Sequence, residues 1–138
     1  MSQQNISVLT LTVTASGTVT TARGVGYDGA QATTAGQKVM GIAMTGAAAG
    51  ESLAVVTKGT AIVESGAAIA IGDSLMVDTQ GRVTPVTGNL SIGSGATPVT
   101  STAANGEILT GADLPEYLVG DALQAASAAG KFIEILLR

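Results

Sequence analysis

The chain has 138 residues, enough for one domain. It is 46% apolar, with 23 of those residues alanine, and only 2% aromatic; 12% of residues are charged and the net charge is −4. With no His and no Cys, the sequence excludes imidazole acid–base chemistry, thiol catalysis, ordinary zinc sites and disulfides. Six basic residues scattered singly in an acidic chain argue against a nucleic-acid surface, and the long uncharged stretches are too broken by Gly, Ser, Thr and Pro to be membrane helices.

The first residues lack the basic and apolar regions of a signal peptide, and the reading is of a protein that is not secreted. Residues 8–14 alternate Leu9, Leu11 and Val13 against threonines, the period-two pattern of a half-buried strand. Ala15-Ser16-Gly17 signals a turn, and Thr18–Ala22 reads as the return strand, so residues 1–22 form an N-terminal arm or hairpin ahead of a single β domain at 23–138. A Gly-rich stretch follows, with turn chemistry at Asp28-Gly29 and Ala35-Gly36.

From residue 37 short strands recur. Lys38–Met44 is one, and Ser52–Thr57 meets Thr60–Glu64 across Lys58-Gly59, a two-residue hairpin signal. Ala67–Ile71, Ser74–Val77 and Arg82–Thr84 continue the series, separated by Gly72-Asp73 and the turn Asp78–Gly81. Residues 85–106 are Gly-, Thr- and Ser-rich with few apolar side chains, and read as a long surface excursion.

Residues 121–130 fit two patterns. Asp121 and Gly130 are placed to cap an Ala-rich helix. A faint repeat favours strand, turn and strand: Met40-Gly41-Ile42-Ala43-Met44, an Ala-rich stretch to Gly50, then Leu53 and Val55 match Val119-Gly120-Asp121-Ala122-Leu123, an Ala-rich stretch to Gly130, then Ile133 and Ile135. In the first copy Gly46 and the short span disfavour a helix. Ile133, Ile135 and Leu137 then alternate with Glu134 and Leu136 as the last strand. The expected fold is all-β: a small antiparallel barrel or sandwich with an N-terminal strand or arm and one long loop.

Carboxylates are the remaining candidates for chemistry. Asp73 and Asp78 flank one strand, and Glu107, Asp113 and Glu116 surround Leu114-Pro115. A pair of acids can hydrolyse glycosides. Each of these, however, sits at a turn or strand end, where capping a backbone N–H is the ordinary use. Asp78-Thr79-Gln80-Gly81 lacks the ligand density of a calcium loop, and Gly24-Val25-Gly26 and Gly93-Ser94-Gly95 lack the context of phosphate loops. No catalytic, cofactor-binding or metal site is expected, nor a small-molecule substrate. Phe132 is expected in the core, and Tyr27, beside a turn, on the surface as an interface anchor between subunits. So few large side chains suit a subunit packed against its neighbours better than a lone globule.

In this order the motifs resemble the capsid decoration (cement) proteins of tailed bacteriophages, a family long catalogued as a domain of unknown function. The resemblance runs through Tyr27-Asp28-Gly29, Ala35-Gly36, Val39–Ala43, Ala49-Gly50-Glu51, Gly59, Ser65-Gly66-Ala67, Ile71-Gly72-Asp73, Asp78, Gly81-Arg82, Gly120–Leu123 and Ala129-Gly130. It implies a β-barrel-like subunit without enzymatic activity, made in the host cytoplasm. Such subunits form homotrimers on the outer surface of the expanded head. There the trimer binds the major capsid protein and holds the shell against the pressure of packaged DNA. The charge-free N-terminal segment is the expected capsid contact, through Ile6, Val8, Leu9 and Leu11, either as an arm added to a capsid sheet or as an outer strand of this domain's own sheet. The competing readings are a carbohydrate- or surface-binding β-sandwich module, which would want exposed aromatics, and a small hydrolase.

Overall fold

The Leu/Thr alternation near the N-terminus produces β1 (Ser7–Thr14) in the computed structural model, which describes residues 3–86 and 116–138. The other strands among the described residues are β2 (Gly24–Val25), β3 (Gly41–Ala43), β4 (Ser52–Glu64), β5 (Ser74–Val77), β6 (Val83–Pro85), β7 (Gly120–Ala122) and β8 (Phe132–Leu137), and no helix occurs there. They form one antiparallel, nearly closed, barrel-like sheet in the order β2-β3-β4-β8-β7-β5-β6, with β1 also paired to β4. The all-β antiparallel fold is the one expected from the sequence. The expected excursion at 85–106 lies almost wholly outside the described residues.

Local signals hold where strands are joined by tight turns. β5 and β6 pair across Asp78–Gly81, with Val77 opposite Val83. The Asp78 Oδ1 atom accepts the N–H groups of Gln80 and Arg82 at 2.8 and 2.9 Å, an Asx-type turn. The C-terminal repeat is strand, turn and strand rather than helix: β7 pairs with β8, and Ala126 forms a bridge to Ile69. Alanine's helix propensity loses because a helix here would leave the β7 and β8 edges unpaired.

Several expected pairings are replaced by longer-range ones. Thr18–Ala22 does not return along β1; only Val19 bridges, to Ala47, while β1 pairs with β4 along its length. Ala67–Ile71 likewise reduces to the single bridge at Ile69, and the run at Lys38–Met44 to β3. Lys58-Gly59 is not a hairpin turn. The two flanking runs are one strand, β4, with β1 and β3 on its first half and β8 on its second. Gly59 has φ +108°, and the β1 register shifts there, leaving Val8 and Thr57 without opposite residues in the ladder, although the Thr57 hydroxyl donates to the Leu9 carbonyl. This is a bulge, which twists the strand and resets its alternation. As a result Val56 and Ala61, an odd number of residues apart, reach the same core. A Cβ on Gly59 would lie 2.2 Å from the Ile6 carbonyl oxygen, so the bulge also needs the close approach that only glycine permits.

The strand β4 joins two copies of one unit. β1 meets β4 with Thr14 opposite Ser52 and Thr10 opposite Val56; β4 meets β8 with Glu64 opposite Phe132 and Thr60 opposite Leu136. The second pairing repeats the first, displaced by 50 residues on one strand (64 − 14) and 80 on the other (132 − 52). The correspondence continues in the bridges Val19–Ala47 and Ile69–Ala126 and in the N–H bonds from Gly50 to Ala15 and from Gly130 to Ser65. The repeat read faintly from residues 40–55 and 119–135 is thus half of a duplication that spans the fold. Each copy has its own core. Val19, Val25, Leu53 and Val55 centre the first, and Ile69, Leu75, Ile133 and Ile135 the second, which also takes in Ile42 and Val56 from the back of the first copy.

An ion pair ties the copies together. Arg23 Nη2 lies 2.6 Å from Glu64 Oε2, both side chains being mostly buried, and Arg23 Nη1 donates to the Gln80 carbonyl at 2.7 Å. Removing one member of such a pair strands the other in a poor solvent. Arg23→Ala is expected to lower stability by about 2 kcal/mol, read as a shift in the urea midpoint, whereas R23A in an E64A background should cost less.

Candidate interaction surface

The carboxylates have structural duties. Asp78 holds its turn and pairs with Arg82 at 2.8 Å. Asp73 accepts the Ala70 N–H at 2.8 Å, and Asp121 pairs with Arg138 and accepts the Ser74 hydroxyl hydrogen bond. Glu107 and Asp113 lie outside the described residues, and Glu116 is exposed. Among the described residues no group of three or more acids is placed to hold a metal ion. Glu134, expected to face outward as an ordinary alternating position, is buried: it accepts the Gln4 N–H at 3.0 Å as residues 3–6 cross β8.

What stands out is exposed apolar surface on the first copy. Ile6, Val8, Leu9 and Leu11 are all exposed, Val8 to 79%. The N-terminal segment is a strand of this domain's own sheet: Ile6 is fastened to Thr60 by hydrogen bonds in both directions, and β1 is paired along one edge. No other strand pairs with β1 among the described residues, so its second edge is open. Ser7–Thr14 carries no charge and no proline, the devices that normally protect an edge.

Strand alternation divides the four residues. Leu9 and Leu11 line an open groove together with Tyr27, Val39 and Met40, rimmed by Lys58 and Arg138. Ile6 and Val8 are not among its lining residues. Tyr27, at the Asp28-Gly29 turn, is 68% exposed. Lys38 Nζ sits 5.8 Å from the Tyr27 ring centre and 5.7 Å from that of Tyr117, bringing two of the three aromatics around one cation. This cluster was invisible in the sequence, where Tyr27 and Tyr117 are far apart and no spacing links them to Lys38. Phe132, expected in the core, is 52% exposed; β8 turns Ile133 and Ile135 inward instead.

Comparison with known proteins gives a family match and a structural likeness. A family model described as phage cement protein matches residues 2–137. The solved head fiber gp8.5 N base of bacteriophage phi29 has a similar fold, with a TM-score of 0.62 at 15% identity, covering 94% of this chain and 93% of that one. No curated protein matches.

Proposed function

This chain belongs to the phage cement protein family, and from that premise we propose that it is a capsid decoration protein: a homotrimer that binds the outer surface of an expanded phage head and stabilises the shell against internal DNA pressure. The role is structural rather than catalytic, and it belongs to the virion. The observation that carries the reading is the family match along nearly the whole chain, and a fold shared with a phage head fiber protein supports it.

The physical logic is linkage. A protein that binds the assembled, expanded shell and not its free subunits stabilises the shell by its binding free energy, multiplied in effect when one trimer bridges several capsid subunits. The capsid contact falls on β1, whose open, uncharged edge and exposed Ile6, Val8, Leu9 and Leu11 suit addition to a sheet edge of the major capsid protein.

Mixing the protein with expanded, undecorated heads and imaging them tests this directly. Density at three-fold positions on the outer surface is expected, together with a raised temperature of head disruption. Deleting residues 2–8 is expected to cut occupancy at least tenfold. Unchanged occupancy would take Ile6 and Val8 out of the contact, and binding to free capsid subunits as tight as to heads would remove the stabilising role.

A further inference from the structure

The joint between the two copies within the chain has counterparts left bare on the surface of the molecule. A Cβ on Gly24 of the first copy would lie 2.6 Å from Val77 Cγ1 of the second, and both residues are buried. The duplication maps Gly24, opposite Ile42, to Ser74, opposite Asp121, and Ser74 is exposed. The hairpin that carries Val77 is longer than its counterpart in the first copy, whose turn leaves Tyr27 exposed instead. The same holds on either side. Val56, buried against the second core, corresponds to Leu136, which is 44% exposed. Ala61, buried in the second core, corresponds to exposed Leu11. The first copy therefore presents a receiving groove around Tyr27 and Leu11, and the second copy presents the covering face around Ser74 and Leu136.

Charge agrees with shape. Inside the chain the covering face brings the cation Arg23 to Glu64. The counterpart of Arg23 is Asp73, so the outer covering face carries an acid beside Ser74, while Lys58 lines the receiving groove and Lys38 sits beside its Tyr27 ring, neither lysine making an ion pair among the described residues. The signs are reversed, and they are again complementary.

We infer that a second copy of this chain docks the outer face of its second half, around Ser74 and Leu136, into the groove around Tyr27, repeating between molecules the packing that joins the two halves within one. This inference rests on the trimer reading and deepens it by naming the two surfaces. The contact is heterologous, one surface of each kind per subunit, which is what a closed three-membered ring requires and a two-fold dimer does not. It takes Leu9 and Leu11 out of the capsid contact and leaves Ile6, Val8 and the open edge of β1 for the shell.

The chain lacks cysteine, so introduced thiols report only on each other. With Tyr27→Cys and Ser74→Cys in one chain, mild oxidation is expected to give a covalent trimer of three times the subunit mass on a non-reducing gel. Equimolar single variants should give cross-linked dimers when mixed and none alone. Two results would overturn the inference while sparing the trimer: an oligomer by sedimentation with no cross-link in the double variant, or a cross-link in Tyr27→Cys alone, the mark of a two-fold contact. A monomer at micromolar concentration, on and off the shell, would remove the trimer reading itself; a Tyr27 region protected from hydrogen exchange in that monomer would assign the groove to residues of the same chain.

Discussion

Gly41→Ala and Gly120→Ala are each expected to lower stability by about 3 kcal/mol or more, with a fall in melting temperature of about 10 °C or more. The two glycines occupy equivalent places in β3 and β7. A Cβ on Gly41 would sit 2.1 Å from the Val56 carbonyl oxygen, and one on Gly120 would sit 2.1 Å from that of Leu136, the residue corresponding to Val56. The obstacle in both cases is backbone of a neighbouring strand, held in its own ladder, so it cannot swing away as a side-chain tip does. Gly17→Ala supplies the control: nothing lies within 4 Å of the added methyl, and stability should be within about 0.5 kcal/mol of the parent. Urea unfolding with unchanged m-values would read all three. Glycine-to-alanine changes that are equally mild at all three sites would mean that the strands do not approach this closely.

The second large effect separates neighbours in β8. Ile133→Ala is expected to cost about 2–5 kcal/mol, because Ile133 is fully enclosed in the second core beside Leu75 and Val63. Phe132→Ala, which removes the chain's only phenylalanine, is expected to cost less than about 1 kcal/mol, since half of that side chain already faces solvent. The ordering runs against side-chain size and depends on the register in which Val63 stands opposite Ile133. A larger loss for Phe132→Ala than for Ile133→Ala would mean the strand is turned over by one residue.

Local chemistry carried the reading of the β5–β6 hairpin. Asp78 and Gly81 prescribe the turn between them, and the strands it joins are neighbours, so nothing distant intervenes. The same residues 58 and 59 that spell a hairpin in isolation form a bulge here, because a two-residue turn and a glycine bulge ask for the same positive φ. What distinguishes them is whether partner strands exist to keep the chain extended, and those partners, β1 and β8, lie about fifty residues upstream and seventy downstream. Phe132 faces solvent for a related reason: size and aromaticity argue for the core, but the β8 register turns its neighbours Ile133 and Ile135 inward, and strand parity puts Phe132 outside. The groove was half legible. Tyr27 announced itself as an exposed aromatic at a turn and Leu9 and Leu11 as one face of a strand, yet no sequence spacing brings them to Met40 and Lys58.

By itself the sequence determined the all-β class, the turn positions, the absence of thiol and imidazole chemistry, and the repeat at 40–55 and 119–135. These follow from backbone preferences and side-chain chemistry that each residue carries wherever it sits. Only the tertiary structure decided that β4 is one strand shared by two copies, that β1 is an open-edged strand of the same sheet, and that the first copy keeps a bare groove where the second is covered. Those outcomes depend on which strands meet and in which register, and pairing energy is realised only between residues distant in the chain.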